Sequence, residues 1–196
     1  MRRTLITILS VALLAGLLAA PAVADGHEPA TIVDAVLADD GEFDILQAAV
    51  LAVEDAGILP AATLLSGEGP FTVFAPTDKA FTKLAEDLSG LEFADEDAVV
   101  GWLVTNVGLE TIAVVLGYHV VEGEVPSSAV SDGAEVTTFG GGSFAVFAPG
   151  KNFRSIQFVD NDPDARNPKL VKGLFDISTG NGIIHGIDRV LRPIDL

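Results

Sequence analysis

The sequence predicts an α+β domain. Apolar residues at helical spacing crowd its first half, short β-branched and aromatic segments crowd its second, and Asn181-Gly182 near the end is a strong hairpin signal. Helices grouped apart from strands argue for α+β packing over a regular alternation of strand and helix.

Residues 1–24 read as a secretory signal peptide. Arg2 and Arg3 form a positive start, Thr4 to Ala20 is apolar and uncharged, and Ala22-Val23-Ala24 is a small-x-small cleavage site. The apolar stretch is slightly short of the roughly 20 residues a membrane helix needs. Cleavage near Ala24 is therefore the expectation, with a periplasmic or extracellular product and no membrane insertion of the mature chain. Residues 25–30 form a short polar leader. Residues 31–196 read as a single domain, without a Pro/Ser linker or an internal repeat.

Ile32, Val33, Val36 and Leu37 keep helical period behind a Thr31 cap. Phe43, Leu46, Val50 and Val53 line a second helix, with Gly57 as its stop, and Leu59 to Leu65 is a further short helical candidate. Phe71 to Ala75 predicts a strand ended by Pro76. Thr77 is then placed to cap a helix whose first turn carries Asp78 and whose buried face holds Ala80, Phe81, Leu84, Ala85 and Leu88. Asp95 to Thr105 and Val107 to Leu116 read as two more helices. Strands follow at Tyr118–Val121, Glu135–Phe139, Ser143–Phe147 and Phe153–Val159, with Gly140-Gly141-Gly142 as a turn. The Asn181-Gly182 turn is expected to join Val171–Ile177 to Ile183–Val190, with Ile183, His185 and Ile187 sharing one face.

Charge and sulfur content exclude some functions. The chain carries 28 acids against 11 lysines and arginines, a net charge of −17, and loss of the signal peptide deepens it by two. Such a surface repels nucleic acid and anionic membranes. With no cysteine there is no thiol nucleophile, no thiolate metal site and no disulfide. A mature chain of about 170 residues is large enough to be held by its core alone. No cofactor is expected.

Three blocks carry the identity of the chain: Phe71-Thr72-Val73-Phe74-Ala75-Pro76-Thr77-Asp78-Lys79-Ala80-Phe81, then Tyr118-His119-Val120-Val121-Glu122-Gly123, then Asn181 through Pro193. In this order and spacing they resemble the fasciclin domain, an extracellular adhesion module. The likeness runs from Thr31 to Pro193. It implies a wedge of two packed β-sheets with helices collected along one side. It also implies a secreted adhesion or interaction module, binding a cell-surface or matrix protein or a glycan without catalysis. Phe74, Ala75, Phe81, Asn181, Gly182, His185 and Asp188 fall at its structural signature positions. Tyr118-His119 matches the family's tyrosine–histidine motif, associated in animal members with integrin-dependent adhesion. Together with the turn at Pro76, Thr77 and Asp78 it forms the candidate binding face. The competing reading makes His119 a core residue whose ring bonds Thr77 or Asp78.

Other motifs are weaker. His185 and Asp188 invite a hydrolase reading with some serine, but no Gly-x-Ser-x-Gly elbow exists, and on a strand the two point to opposite faces. Asp160, Asp162 and Asp164 imitate the start of a calcium loop, yet Ala165 stands where glycine is needed and Val171 where glutamate is needed. Residues 160–172 are expected to form an exposed insertion. Cleavage after Ala24 would leave Asp25-Gly26-His27, whose four nitrogens suit Cu(II) or Ni(II). The acidic loop and this terminus motivate the alternative function, a periplasmic carrier of a small ligand or metal ion.

Overall fold

Thr31 opens the first helix through a reciprocal cap. Its hydroxyl accepts the Asp34 amide at 3.2 Å, and the Asp34 carboxylate accepts the Thr31 amide at 2.8 Å. The structure, a computed structural model, describes residues 31–38, 41–150 and 155–194. The expected signal peptide, the leader and Asp25-Gly26-His27 lie outside them.

The first helix, α1 (Ile32–Val36), leads to α2 (Asp44–Asp55) and α3 (Ala61–Leu65). Strand β1 (Phe71–Pro76) runs into α4 (Asp78–Ser89), which ends at Gly90 with φ +70°. Next come α5 (Glu96–Asn106), capped by the Asp95 carboxylate on the Ala98 amide at 2.9 Å, and α6 (Leu109–Tyr118). Strands β2 (Val120–Glu122), β3 (Glu135–Thr137), β4 (Ser143–Phe147), β5 (Gln157–Val159), β6 (Ile177–Thr179) and β7 (Gly182–Ile187) complete the described fold.

The strands form two sheets, one ordered β2-β1-β7-β6 and one β3-β4-β5. In the larger sheet β1 and β7 are parallel, Phe71 facing Gly182 through Pro76 facing Ile187, while the outer pairs are antiparallel. The pleat of β1 sorts its side chains. Val73 and Ala75 join a core with the helices, and Phe74 joins a second core between the sheets. There Phe74 meets Phe144 and Phe158 edge-on, with centroids 5.3 and 4.9 Å apart. Helices, large sheet and small sheet thus lie in sequence, which is the expected α+β wedge with helices along one side. No single helix among the described residues is long and apolar enough to cross a membrane; α5 and α6 reach that length only across a 107° bend.

Several boundaries differ from the sequence expectation for local reasons. Tyr118 ends α6 and does not begin a strand, because Gly108 (φ +84°) starts that helix two residues late. The hairpin pairs Thr179 with Gly182, so Gly180-Asn181 forms the turn and Gly182 opens β7. The expected strand 171–177 shrinks to β6, since Asp176 adopts φ +55°. Thr77 stands at the start of α4 without a capping bond, its hydroxyl lying 3.5 Å from the Ile187 carbonyl. The 160–172 segment is not a free insertion. Asp162 and Leu170 are buried, and Leu170 bridges to Ile187.

Candidate functional site

Helix α6 delivers the Tyr118-His119 pair into the interior. Tyr118 is 1% exposed and donates its hydroxyl to the Ser143 carbonyl at 2.5 Å, joining the helix end to the second sheet. Burial, and then the charge of Asp160, push its ionisation up to about 12. His119 is 2% exposed. The Leu191 amide donates to Nε2 at 2.9 Å, so Nδ1 carries the proton and donates to the Val115 carbonyl at 2.7 Å. Both ring nitrogens are satisfied in the neutral state. Burial drives the ring's pKa down to about 4 against the pull of the Val115 carbonyl. The ring partners are therefore Val115 and Leu191; the sequence expectation of Thr77 or Asp78 is corrected, because α6 aims the ring at the chain after β7.

The Pro76-Thr77-Asp78 turn is likewise buried, and the Thr77 amide donates to the Ile187 carbonyl at 3.1 Å. Asp78 Oδ1 accepts the Ile45 amide at 2.8 Å, tying the start of α4 to the start of α2. Its Oδ2 is buried without a hydrogen-bond partner among the described residues. Asp44, Asp78 and Glu96, each the first residue of a helix, bring carboxylate oxygens within 4.8 Å of one another. Burial, then the charges of Asp78, Asp44 and Asp97, raise the pKa of Glu96. Sequence reasoning missed Asp44 and Glu96. The available signal was an acid at the first position of each of three helices, but their convergence is tertiary.

At the last signature block, Asn181 donates to the Leu65 and Gly67 carbonyls at 2.7 and 2.9 Å and accepts the Ile32 amide at 2.9 Å. It laces α1 and α3 to the hairpin. His185 lies beside Phe74, accepts the Asp176 amide on Nδ1 at 3.1 Å, and bonds the Val125 carbonyl through Nε2 at 2.9 Å. Burial lowers its pKa against the Val125 carbonyl and the Asp176 charge. Asp188 accepts the Lys169 amide at 2.8 Å. The Ser127 hydroxyl bonds Asp176, not His185. That connectivity is not a serine–histidine–carboxylate relay, in which the imidazole must reach the hydroxyl.

The acidic loop closes around Arg192. Asp162 accepts its Nη1 at 3.0 Å and the Asp164 and Ala165 amides at 3.0 and 3.1 Å. Burial pushes the Asp162 carboxyl up, but the guanidinium and the two amides outweigh it and hold the carboxyl below the usual range. Asp160 accepts the Arg192 amide at 2.7 Å. These oxygens are thus committed to the arginine and to amides.

Among the described residues, the outer face of β4 and β5 and a cleft beside α1 are two of the apolar surfaces open to solvent. On the outer face of β4 and β5, Phe147 is 48% exposed and Val159 38%. Ala145 sits between them, paired with Val159. The alternation of Ser143–Phe147 carried that signal. Between α1, α3 and the β1–β2 edge lies a narrow apolar cleft, walled by Val33, Leu46, Leu65, Leu116, Val120 and Phe139.

Residues 45–193 match the family model described as the fasciclin domain. The chain is 31% identical over 163 residues to Protein sll1483 of Synechocystis sp., covering 83% of this chain and 73% of that one. It is 29% identical over 163 residues to transforming growth factor-beta-induced protein ig-h3 of Sus scrofa, covering 83% of this chain and 19% of that protein. Human periostin is 28% identical over 131 residues, 66% of this chain and 13% of periostin. Among solved structures, a FAS1 domain pair from the insect cell adhesion molecule fasciclin I superposes with a TM-score of 0.58 at 18% identity, covering 83% of this chain and 50% of that one.

Proposed function

The chain belongs to the fasciclin domain family, and from that premise we propose that it is a secreted interaction module that binds a cell-surface or matrix protein or a glycan without turnover. The observation that carries this reading is the outer face of β4 and β5, where Phe147 and Val159 stand exposed beside Ala145. Aromatic side chains such as Phe147 are enriched at interfaces. Tyr118 and His119 support the contact indirectly, by holding the helices and the chain after β7 to the sheets. A net charge of −17 selects against anionic partners. One copy of such a surface gives modest affinity, which multivalent display strengthens.

The test is binding of the purified protein to intact cells and to arrays of matrix proteins and glycans at two salt concentrations. Saturable binding that survives the higher salt supports the reading. A folded protein that binds nothing removes it.

A further inference from the structure

Three helices begin at one point of this molecule, and each begins with an acid. Asp44 opens α2, Asp78 opens α4 and Glu96 opens α5. The converging helix ends carry partial positive charge, which offsets some of the repulsion among the carboxylates. It does not supply a partner for Asp78 Oδ2. Asp78 is 6% exposed, its Oδ1 is held by the Ile45 amide, and Oδ2 is buried with no hydrogen-bond partner among the described residues. A buried carboxylate oxygen without a donor is costly, and native proteins rarely keep one unless an ion or ordered water completes it.

We infer that Asp44, Asp78 and Glu96 form a binding site for a hard divalent cation of calcium size, which satisfies Asp78 Oδ2 and pins the starts of α2, α4 and α5 together. The donor set is all carboxylate oxygen, as calcium prefers. Oxygens on opposite sides of a calcium ion stand about 4.6–5.2 Å apart, twice its usual bond length. The three carboxylates, one oxygen from each within 4.8 Å of the others, fall inside that span. Burial is graded from Asp78 inside, through half-buried Asp44, to exposed Glu96. The ion therefore enters from the Glu96 side and keeps water on its open positions. The site is separate from the Arg192-centred loop, whose carboxylates have donors already.

The test uses calcium chloride and the purified chain. Isothermal titration is expected to show one site per chain, with a dissociation constant of about 0.1–1 mM, as in other extracellular calcium modules. At constant ionic strength the melting temperature is expected to rise by roughly 4–8 °C between no calcium and 10 mM. Glu96→Gln changes an exposed side chain, so the fold persists. It is expected to weaken binding at least tenfold, as is Asp44→Asn, while Asp164→Asn leaves binding unchanged. Magnesium is expected to bind at least tenfold more weakly. No saturable binding up to 10 mM overturns the proposal, and so does binding that survives Glu96→Gln or disappears in Asp164→Asn. Equal affinity for magnesium overturns the assignment of ion size.

Discussion

His119 and Leu191 are joined by a hydrogen bond of 2.9 Å from the Leu191 amide to the imidazole Nε2, across 72 residues of chain. The other ring nitrogen holds the Val115 carbonyl. One side chain thus fastens the last turn of α6 to the segment that follows the final strand. The family's tyrosine–histidine motif serves here as an internal clasp.

Removing the clasp leaves a cavity, a buried amide and a buried carbonyl without partners. His119→Ala is expected to destabilise the protein by about 3–5 kcal/mol, the cavity and the lost bonds acting together. Denaturant unfolding measures this directly. An unchanged midpoint would show that the ring is not structural.

The same histidine makes stability fall in acid. Its folded pKa of about 4 lies below its usual 6.5, so between these values the unfolded chain takes up a proton that the folded chain refuses. Stability is full above pH 6.5 and declines as pH falls towards 4, by about 3 kcal/mol from this group. His185, lowered by burial, adds in the same direction. Unfolding curves at pH 7, 5.5 and 4.5 test the slope, and the ring resonances of His119 are expected to stay flat between pH 7 and 5.

Tyr118, the only tyrosine, reports the alkaline side. Its hydroxyl ionises near 12 when folded, so absorbance at 295 nm is expected to rise about two pH units later in the native protein than in denaturant. Stability is lost as pH rises through 10, because only the unfolded chain releases that proton. Coincident native and denatured titrations would contradict the buried hydroxyl.

Arg192 holds Asp162 and Asp87 and donates its amide to Asp160. Arg192→Met leaves Asp162 buried without its cation and is expected to destabilise by about 3 kcal/mol. Asp162→Asn keeps an acceptor for the amides and is expected to be milder. Chemical denaturation of both variants gives the order, and the reverse order would place the weight on the amides.

Phe147→Ser separates binding from folding. The side chain lies on an outer sheet face, so stability is expected to change by no more than about 0.5 kcal/mol. Binding to the partner found by array is expected to fall at least tenfold. Unchanged binding would move the contact to another face.

Much of this fold was legible because it is local. The Phe71–Phe81 block encodes strand, stop and helix within neighbouring residues, and the helix expected over Asp95 to Thr105 appears as α5 (Glu96–Asn106), with Asp95 as its cap. What escaped is non-local. Nothing beside Phe74 announces that it pairs in parallel with His185, and nothing beside His119 announces Leu191. Gly108 shifted α6 by two residues and so turned Tyr118 from the start of a strand into the end of a helix. Asp44, Asp78 and Glu96 look like ordinary first-turn acids until the three helix starts converge.

The parallel β1–β7 pair also governs the order of assembly. The centre of the large sheet closes a loop of about 110 residues, so its decisive contacts wait until almost the whole chain is available. A chain that lacks residues 182–187 has β1 with an open edge and β6 with no neighbour in its sheet. Completion of the large sheet therefore waits until the last strand arrives between its two neighbours.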